Sequence, residues 1–334
     1  MSGTNRQILL RRRPTGPITD DCFELVETPV PEPAAGEAIV RVRYLSLDPT
    51  IRIWVERDSY LPAIALGDPV RSAGLGVVVE SRNDDFPVGA TVMGMLGWQD
   101  YAVVGGETAA NVLPDGIEPT DALSVYGGTG ITAYFGLLDV GKPAEGDTVL
   151  VSGAAGATGS VVGQIAKIKG CRVIGIAGTD DKCRWLVDEL GFDAAINYRT
   201  EDVAARIGEL CPDGIDVFFD NVGGSILEAA LDHLALKARV VLCGSISSYN
   251  TAEEPPGPRN LMNLVVQRAR MEGFLVLDYL DRFAEAALDL AVWVAEGKIQ
   301  HRVDVVEGLE ATPGAMNKLF DGTNVGKLVV HVAD

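Results

Sequence analysis

A glycine-rich turn carries the strongest chemical signal in the sequence. In TVLVSGAAGATGSVVGQIAKIKG (148–170), an apolar, β-rich run leads into Gly153, Gly156 and Gly159 and then directly into a helical pattern. Backbone amides at a helix N-terminus can reach a pyrophosphate only where no larger side chain blocks the approach. Because another β-rich run starts at Cys171, the glycines stand between a strand and a helix. This context predicts a dinucleotide-binding loop.

The end of the second strand bears on which dinucleotide is bound. NAD-binding proteins commonly place a carboxylate there, about 20 residues after the glycines, where it hydrogen-bonds the ribose 2′-hydroxyl. This sequence has Gly178 instead, and Lys182 opens the next helix. The pattern favours NADP(H), with Lys182 near a 2′-phosphate, although Asp180 and Asp181 would partly oppose the extra charge. The alternative is that Lys182 is only a solvated helix residue.

Residues that could hold a metal ion are sparse. The five cysteines are scattered without a CxxC pair, and the three histidines form no HxH, HxxxH or HExxH pattern. Before Cys171 the chain has one cysteine, Cys22, and no histidine. We therefore predict neither a disulfide framework nor a catalytic or structural zinc site.

Two kinds of hydrophobic periodicity divide the chain into parts, whose strands and helices must position these groups. The first third alternates apolar and polar residues and is cut by glycine and proline about every 8 to 12 residues, which is typical of an antiparallel sandwich or barrel. After Gly127, short apolar strands alternate with amphipathic helices, which indicates a doubly wound parallel sheet. The run KLVVHV (327–332) alternates like the first third. The predicted fold class is α/β, with a β domain at residues 1–126 and 302–334 and a dinucleotide-binding domain at residues 127–301; AEEPPGPRN (252–260) is predicted to be an exposed loop.

Composition and charge exclude several classes of protein. Of 334 residues, 47% are apolar and 22% are charged, a balance that buries large cores and excludes wholesale disorder. The formal charge of −19 repels nucleic acid and anionic lipid, so we expect neither as a partner. No segment approaches the roughly 18 uninterrupted apolar residues of a membrane helix. The start, MSGTNRQILLRRRPTG, lacks the features of a signal peptide, so we expect a cytoplasmic protein.

Nine motifs extend from the first domain to the C-terminus. They are LSLDPTIR (45–52), GGTGITAYFGLLDVGKP (127–143), SGAAGATGSVVGQIAKIKGC (152–171), AGTDDKC (177–183), FDAAINYR (192–199), FDNVGG (219–224), LCGSISSYN (242–250), RMEGFLV (270–276) and GTNVGK (322–327). In these motifs the chain resembles the zinc-independent medium-chain dehydrogenases/reductases, within them the alkenal double-bond reductases, prostaglandin reductases and curcumin-reductase-like proteins. The resemblance implies a GroES-like β domain, a Rossmann domain with the substrate cleft between the two, and a homodimer formed through the Rossmann domains.

The same resemblance implies NADP(H) as the cofactor and assigns its contacts. It implies pyrophosphate binding at Gly156, Ala157, Thr158 and Gly159, and recognition of the 2′-phosphate at Lys182 and Tyr198, with Arg199 as a helper; Gly178 adjoins them by the sequence argument above. On the nicotinamide side it implies Asn221, the loop Cys243, Gly244, Ser245, Ile246, Ser247, Ser248 and Tyr249, the segment Phe274, Leu275 and Val276, and Asn324.

Two departures from the family's motifs concern the substrate pocket. Mammalian relatives have a tyrosine shortly before the RM pair, where this chain has Val266, so a catalytic role cannot be transferred to that position. The usual DPYMR reads DPTIR here, with Thr50 and Ile51.

Reduction of a carbon–carbon double bond conjugated to a carbonyl group needs no metal. Hydride goes to the β-carbon, charge moves to the carbonyl oxygen, and a proton reaches the α-carbon, so hydrogen-bond donors near the oxygen suffice. The candidate catalytic donors are Tyr249 and Tyr60, either of which could instead be a structural tyrosine of the cleft wall. The cofactor ribose hydroxyl or solvent could also deliver the proton. Asp48, before Pro49, is expected to cap a turn rather than act as an acid.

The leading hypothesis is an NADPH-dependent reductase of α,β-unsaturated ketones or aldehydes, with a small-molecule enone or enal as its partner. A quinone reductase and a non-catalytic NADPH-binding sensor are the alternatives.

Overall fold

The computed structural model describes residues 3–333 apart from 107, 109, 115 and 252–255. Part of the exposed loop predicted at 252–260 therefore lies outside the described residues. Within the described residues, no helix is both long enough and apolar enough to cross a membrane.

The β-rich part of the chain forms a hairpin and a seven-stranded sheet. In the larger sheet the order is β14-β15-β3-β4-β5-β7, with β6 paired to β3. β15, near the C-terminus, runs antiparallel to β3, so the end of the chain completes the sheet that its first third begins. The strands are β1 (Thr4–Leu10) and β2 (Phe23–Pro29) in the hairpin, and β3 (Glu37–Leu47), β4 (Gly74–Ser81), β5 (Thr91–Gly94), β6 (Tyr101–Gly105), β7 (Ala110–Val112), β14 (Val303–Glu307) and β15 (Lys327–His331) in the sheet.

The middle of the chain forms a six-stranded sheet in which every pair of neighbours is parallel. Its order is β10-β9-β8-β11-β12-β13. The strands are β8 (Thr148–Val151), β9 (Arg172–Ala177), β10 (Ala194–Asn197), β11 (Ile215–Asp220), β12 (Leu234–Leu242) and β13 (Arg270–Gly273). The central strands are buried almost end to end, as expected where helices cover both faces. The predicted α/β fold class, a β domain with a Rossmann domain, is confirmed.

Ten α-helices connect these strands. They are α1 (Thr50–Trp54), α2 (Pro119–Leu123), α3 (Gly128–Phe135), α4 (Ala157–Ile168), α5 (Asp180–Asp188), α6 (Val203–Leu210), α7 (Gly224–Leu231), α8 (Met262–Gln267), α9 (Phe283–Ala295) and α10 (Thr312–Asp321) among the described residues. Helices α3, α4 and α9 bury apolar side chains in the core on one face of the parallel sheet. Helices α6 and α7 do the same on the other face.

The strand order reverses between β8 and β11. The chain continues from β8 to β9 on one side, and from β11 to β12 on the other. The loops that follow β8 and β11 therefore diverge, and a crevice opens at the carboxyl ends of these strands. The glycine loop follows β8 and the FDNVGG motif completes β11, so two predicted binding motifs meet at this crevice.

We propose that the domains meet near residues 126 and 302, as the sequence predicts. Leu123 packs with Leu75 of the first sheet, whereas Val125 packs in the core of the parallel sheet. On the return crossing, Ile299 packs in the parallel-sheet core and Val303 against the first sheet. These changes of core at both crossings support the predicted boundaries.

Candidate active site

The glycine loop brings bare backbone to the N-terminus of α4. Gly153 has φ +58°, a left-handed conformation that favours glycine. A Cβ atom on Gly159 would lie 2.4 Å from the carbonyl oxygen of Gly153, so any side chain there would force the loop and helix apart. No side chain caps α4, whose N-cap residue is Gly156, so its first backbone N–H groups stay available to an anion. Ala157 and Thr158 lie in this open first turn.

A second cluster surrounds the end of β9. A Cβ atom on Gly178 would lie 2.9 Å from the ring of Tyr198. Glycine at this position therefore leaves room for the Tyr198 ring, besides lacking the carboxylate that NAD-binding proteins commonly place there. The Lys182 ammonium donates to the carbonyl of Gly322 at 2.8 Å, and the guanidinium of Arg199 lies 5.8 Å from the centre of the Tyr198 ring. Arg199 also donates to the carbonyl of Asp321 at 2.5 Å.

The two cations of this cluster make no ion pair within the described part of the chain. Burial, and next the charge of Arg199, lower the pKa of Lys182. The carboxylates expected to oppose a phosphate are engaged elsewhere: Asp180 accepts from Asn197 at 2.6 Å, and Asp181 pairs with Arg184. Lys182 and Arg199 are therefore positioned to bind an added anion.

The returning C-terminal segment lies on the glycine loop. The Gly326 amide donates to the Ala155 carbonyl at 3.0 Å, and Asn324, 8% exposed, donates to the Gly326 carbonyl at 3.1 Å. Lys327, which follows Gly326, is buried and reaches the first domain, where its ammonium lies 2.9 Å from the Asp48 carboxylate. The Asp48 side chain also accepts from Ser46.

The expectation that the Asp48 side chain caps a turn is wrong. The N-terminus of α1 has no side-chain cap, and the Asp48 carboxylate instead pairs with Lys327. The reason is that the buried ammonium of Lys327, brought in by β15, requires a counter-ion more than a partly exposed turn requires a cap.

A buried polar cluster joins the loops that follow β8 and β11. The Ser152 hydroxyl donates to the Asp220 carboxylate at 2.7 Å and accepts from the Asn221 amide at 2.8 Å. The Asn221 side chain donates to the Ser152 carbonyl at 2.7 Å. Asp220 also accepts from the amides of Val222 and Gly223, and its burial raises the pKa of the carboxyl group. Asn221 is thereby fixed at the mouth of the crevice.

The predicted nicotinamide loop is fastened to the same cluster. Cys243 and Gly244 donate their amides to the Asp220 carbonyl, and Ile246 and Ser247 donate theirs to the carbonyls of Asn221 and Val222. The side chains of Ser247 and Ser248 bond to backbone carbonyls. Burial raises the pKa of the Cys243 thiol to about 12, so it is a neutral group at physiological pH.

Tyr249 ends this loop with its hydroxyl folded back over it. The Tyr249 oxygen accepts from the Ser245 amide at 3.1 Å, and its O–H has no acceptor among the described residues. Burial raises the pKa of Tyr249, with smaller contributions from Cys243 and Tyr60. The hydroxyl is therefore neutral, and its O–H can donate a hydrogen bond to a bound molecule.

Tyr60 approaches the same region from the first domain. Its hydroxyl lies 2.6 Å from the Thr50 hydroxyl, and its ring packs edge-on against Trp54. Burial is the largest cause of the raised pKa of Tyr60, and the nearby Cys243 contributes. The two predicted tyrosines, one from the first β-rich part of the chain and one from the loop after β12, thus lie near each other.

The segment after β13 offers fewer side chains for a cofactor contact than the sequence suggests. The Phe274 ring packs against Phe219 and fills the space beside Gly136, so it is a core group. Its backbone and the neighbouring Leu275 and Val276 remain for a cofactor contact. Val266, at 56% exposed, lies on α8.

Three residues of the site were not predicted from the sequence, namely Ser152, Asp220 and Lys327. All three are polar, nearly or fully buried, and adjacent to motif glycines or Asn221. A polar residue at the buried end of an apolar strand was the available signal. Within the described residues, no group of three or more His, Cys, Asp or Glu side chains could hold a metal ion.

Two family models match the chain. Residues 6–112 match the N-terminal domain of oxidoreductases, and residues 157–293 match a model described as zinc-binding dehydrogenase.

Similar proteins cover nearly the whole chain. The NADPH-dependent curcumin reductase of Escherichia coli is 40% identical over 98% of this chain and 97% of its own. The NADP(+)-dependent 2-alkenal reductase of Nicotiana tabacum is 38% identical over 99% of this chain and 98% of its own. The crystal structure of CurA from Vibrio vulnificus in complex with NADPH superposes with a TM-score of 0.94 at 42% identity, over 98% and 99% of the two chains.

Replacing Lys182 tests which dinucleotide the cluster at β9 recognises. Lys182→Ala should weaken NADPH binding by roughly 10- to 150-fold, the equivalent of about 1.5 to 3 kcal/mol for a charge-assisted contact, and leave NADH nearly unchanged. Fluorescence titration with both cofactors measures this, and Arg184→Ala on the same helix is the control. Equal weakening of both cofactors would show that Lys182 does not read the phosphate.

Proposed function

Since this chain belongs to the zinc-independent medium-chain dehydrogenase/reductase family of alkenal, curcumin and prostaglandin reductases, we propose that it uses NADPH to reduce the carbon–carbon double bond of α,β-unsaturated ketones or aldehydes. The observation that carries the proposal is Tyr249. It is a neutral hydroxyl with an uncommitted proton, on the loop that closes the crevice.

The residues present fit NADPH. Gly156 and the open first turn of α4 would receive the pyrophosphate, and Lys182 and Arg199 would receive the 2′-phosphate. Asn221 and the backbone of the 243–249 loop would border the nicotinamide. When bound, NADPH supplies the hydride that reduces the β-carbon.

Tyr249 has the chemistry to stabilise the charge that develops on the carbonyl oxygen. Its O–H would donate to that oxygen, and the hydrogen bond would strengthen as the double bond is reduced and the oxygen becomes an enolate. Since its pKa is raised, the hydroxyl keeps its proton at neutral pH. The α-carbon then takes a proton from Tyr249 or from water, which completes the reduction.

Tyr60 has a supporting role in this proposal. Its hydroxyl is already paired with Thr50, so it has less freedom to follow the developing charge. We assign it to orienting the carbonyl group of the substrate.

We also propose a cytoplasmic homodimer built through the parallel sheet. β13 lies at the edge of that sheet, where a second copy can extend it about a twofold axis. Helices α8 and α9, which precede and follow β13 in the sequence, expose apolar side chains. Met262 and Val265 are each 67% exposed, Leu288 is 69% exposed and Val292 is 52% exposed. The five cysteines are free thiols, which is consistent with a reducing compartment.

A substrate panel tests the proposed reaction. Loss of NADPH absorbance with a simple conjugated enone or enal, and product saturated at the α,β-bond, are the expected results. Quinones in the same assay are the comparison, and NADH replaces NADPH in a parallel series. Faster turnover of quinones would identify a quinone reductase, and NADPH binding without turnover of either class would identify a sensor.

The two tyrosines should differ in their kinetic signature. Tyr249→Phe should lower kcat by about 10²- to 10³-fold, or about 2.7 to 4 kcal/mol, with NADPH affinity little changed, because the lost hydrogen bond acts mainly in the transition state. Tyr60→Phe should cost less and should partly raise KM. Steady-state and single-turnover reduction of an enone by both variants measures this. If both turn over at the parent rate, the enolate is stabilised by other groups.

The dimer is tested by mass measurement in solution. Light scattering after gel filtration should give twice the chain mass of 35.4 kDa for the parent protein. Val265→Glu should shift it toward the monomer, because a carboxylate would be buried in the interface. Val88→Glu, at a residue 66% exposed in the first domain, is the matched control. A monomeric parent, or an unchanged Val265→Glu dimer, contradicts the proposed interface.

A further inference from the structure

A fully buried arginine lies between the two domains. Arg52, in α1, is 0% exposed. Its Nε donates to the side-chain oxygen of Asn250 at 3.0 Å and to the Gly16 carbonyl at 3.2 Å. Its terminal nitrogens donate to Gly16 at 3.0 Å and to the Glu56 carboxylate at 2.9 Å. One guanidinium therefore joins an N-terminal loop, α1 and the loop that carries Tyr249.

The cost of this burial indicates a specific task. Taking a guanidinium out of water is unfavourable unless its donors are paired, and a purely structural contact could be made by an apolar side chain. The planar, permanently charged guanidinium offers donors in fixed directions, which is what orienting several segments at once requires. Arg52 uses these directions to reach across the domain boundary.

The point of contact is next to the proposed catalytic residue. The first part of the 243–249 loop is fastened to the Asp220 cluster, whereas Asn250 follows Tyr249 directly and is held from the first domain. The same helix, α1, supplies Thr50, whose hydroxyl lies 2.6 Å from that of Tyr60. Two positions of one short helix thus contact Tyr60 and the residue that follows Tyr249.

We propose that Arg52 is a positioning residue that acts through Asn250 to set the place of the Tyr249 hydroxyl, so that α1 determines the spacing of the two donors across the cleft. This inference rests on the proposed function, since it deepens the role assigned there to Tyr249. It concerns the alignment of the substrate oxygen and not the binding of the cofactor.

Substitution of Asn250 tests the contact without removing the buried charge. Asn250→Ala should lower kcat for an enone by about 10- to 100-fold, the size of effect expected when a catalytic group is displaced by about 1 Å, and leave the NADPH dissociation constant within about twofold. Asn250→Asp keeps the acceptor for Arg52 and should retain most of the rate. Asn111→Ala, at an exposed position of β7, is the control and should match the parent.

A double variant distinguishes positioning from general loosening. If Asn250 acts through Tyr249, adding Asn250→Ala to Tyr249→Phe should cause little further loss of kcat. Losses that multiply would overturn the proposal, as would Asn250→Ala at the parent rate or a loss of NADPH affinity as large as the loss of kcat.

Hydrogen exchange gives a readout that does not need turnover. Amides of residues 245–251 should exchange faster in Asn250→Ala than in the parent or in Asn250→Asp. Unchanged exchange would overturn the tether even in an active enzyme. A parent protein that binds NADPH but reduces no enone contradicts the proposed function alone, and the exchange experiment then still tests the tether.

Discussion

The hydrogen bond between Ser152 and the buried Asp220 carboxylate holds the crevice in one shape. Parallel strands at a reversal of strand order send their loops apart, and the pairing of β8 with β11 holds those loops together only at their start. Ser152 belongs to the loop after β8, and Asp220 ends β11. Asp220 also orders the next two amides, and its carbonyl binds the 243–249 loop. The predicted phosphate and nicotinamide subsites therefore share one buried anchor.

Much of the fold follows from patterns that are local in the sequence. The buried strands β8, β9 and β11 are short, largely apolar runs of the kind predicted after Gly127. The short strand β13 and helix α8 lack such a pattern, because their side chains are largely exposed. β12 starts at Leu234, well before its most apolar residues at 240–242, because Leu234 pairs with Ile215 of β11.

The residues of the site likewise divide into those that local sequence patterns predict and those that only the folded structure brings together. The glycines and Lys182 are recognisable because backbone approach and phosphate charge dictate residue types within one short unit. The Asp48–Lys327 and Arg52–Asn250 contacts join residues about 280 and 200 positions apart, and no local rule relates their identities. The Phe274 ring shows the converse, since its motif suggested a cofactor contact and its core packing is visible only in three dimensions.

The contact between Gly326 and the glycine loop has a consequence for how the protein is made. During synthesis, the other strands of the first sheet leave the ribosome before β14 and β15. The strands of the parallel sheet likewise leave it before the segment that covers Ala155. The crevice therefore receives its cover over Ala155 only after residues 322–327 have docked on the glycine loop. A chain interrupted before Asn324 would keep the strands of the parallel sheet but would lack both the β15 partner of β3 and the segment that covers Ala155.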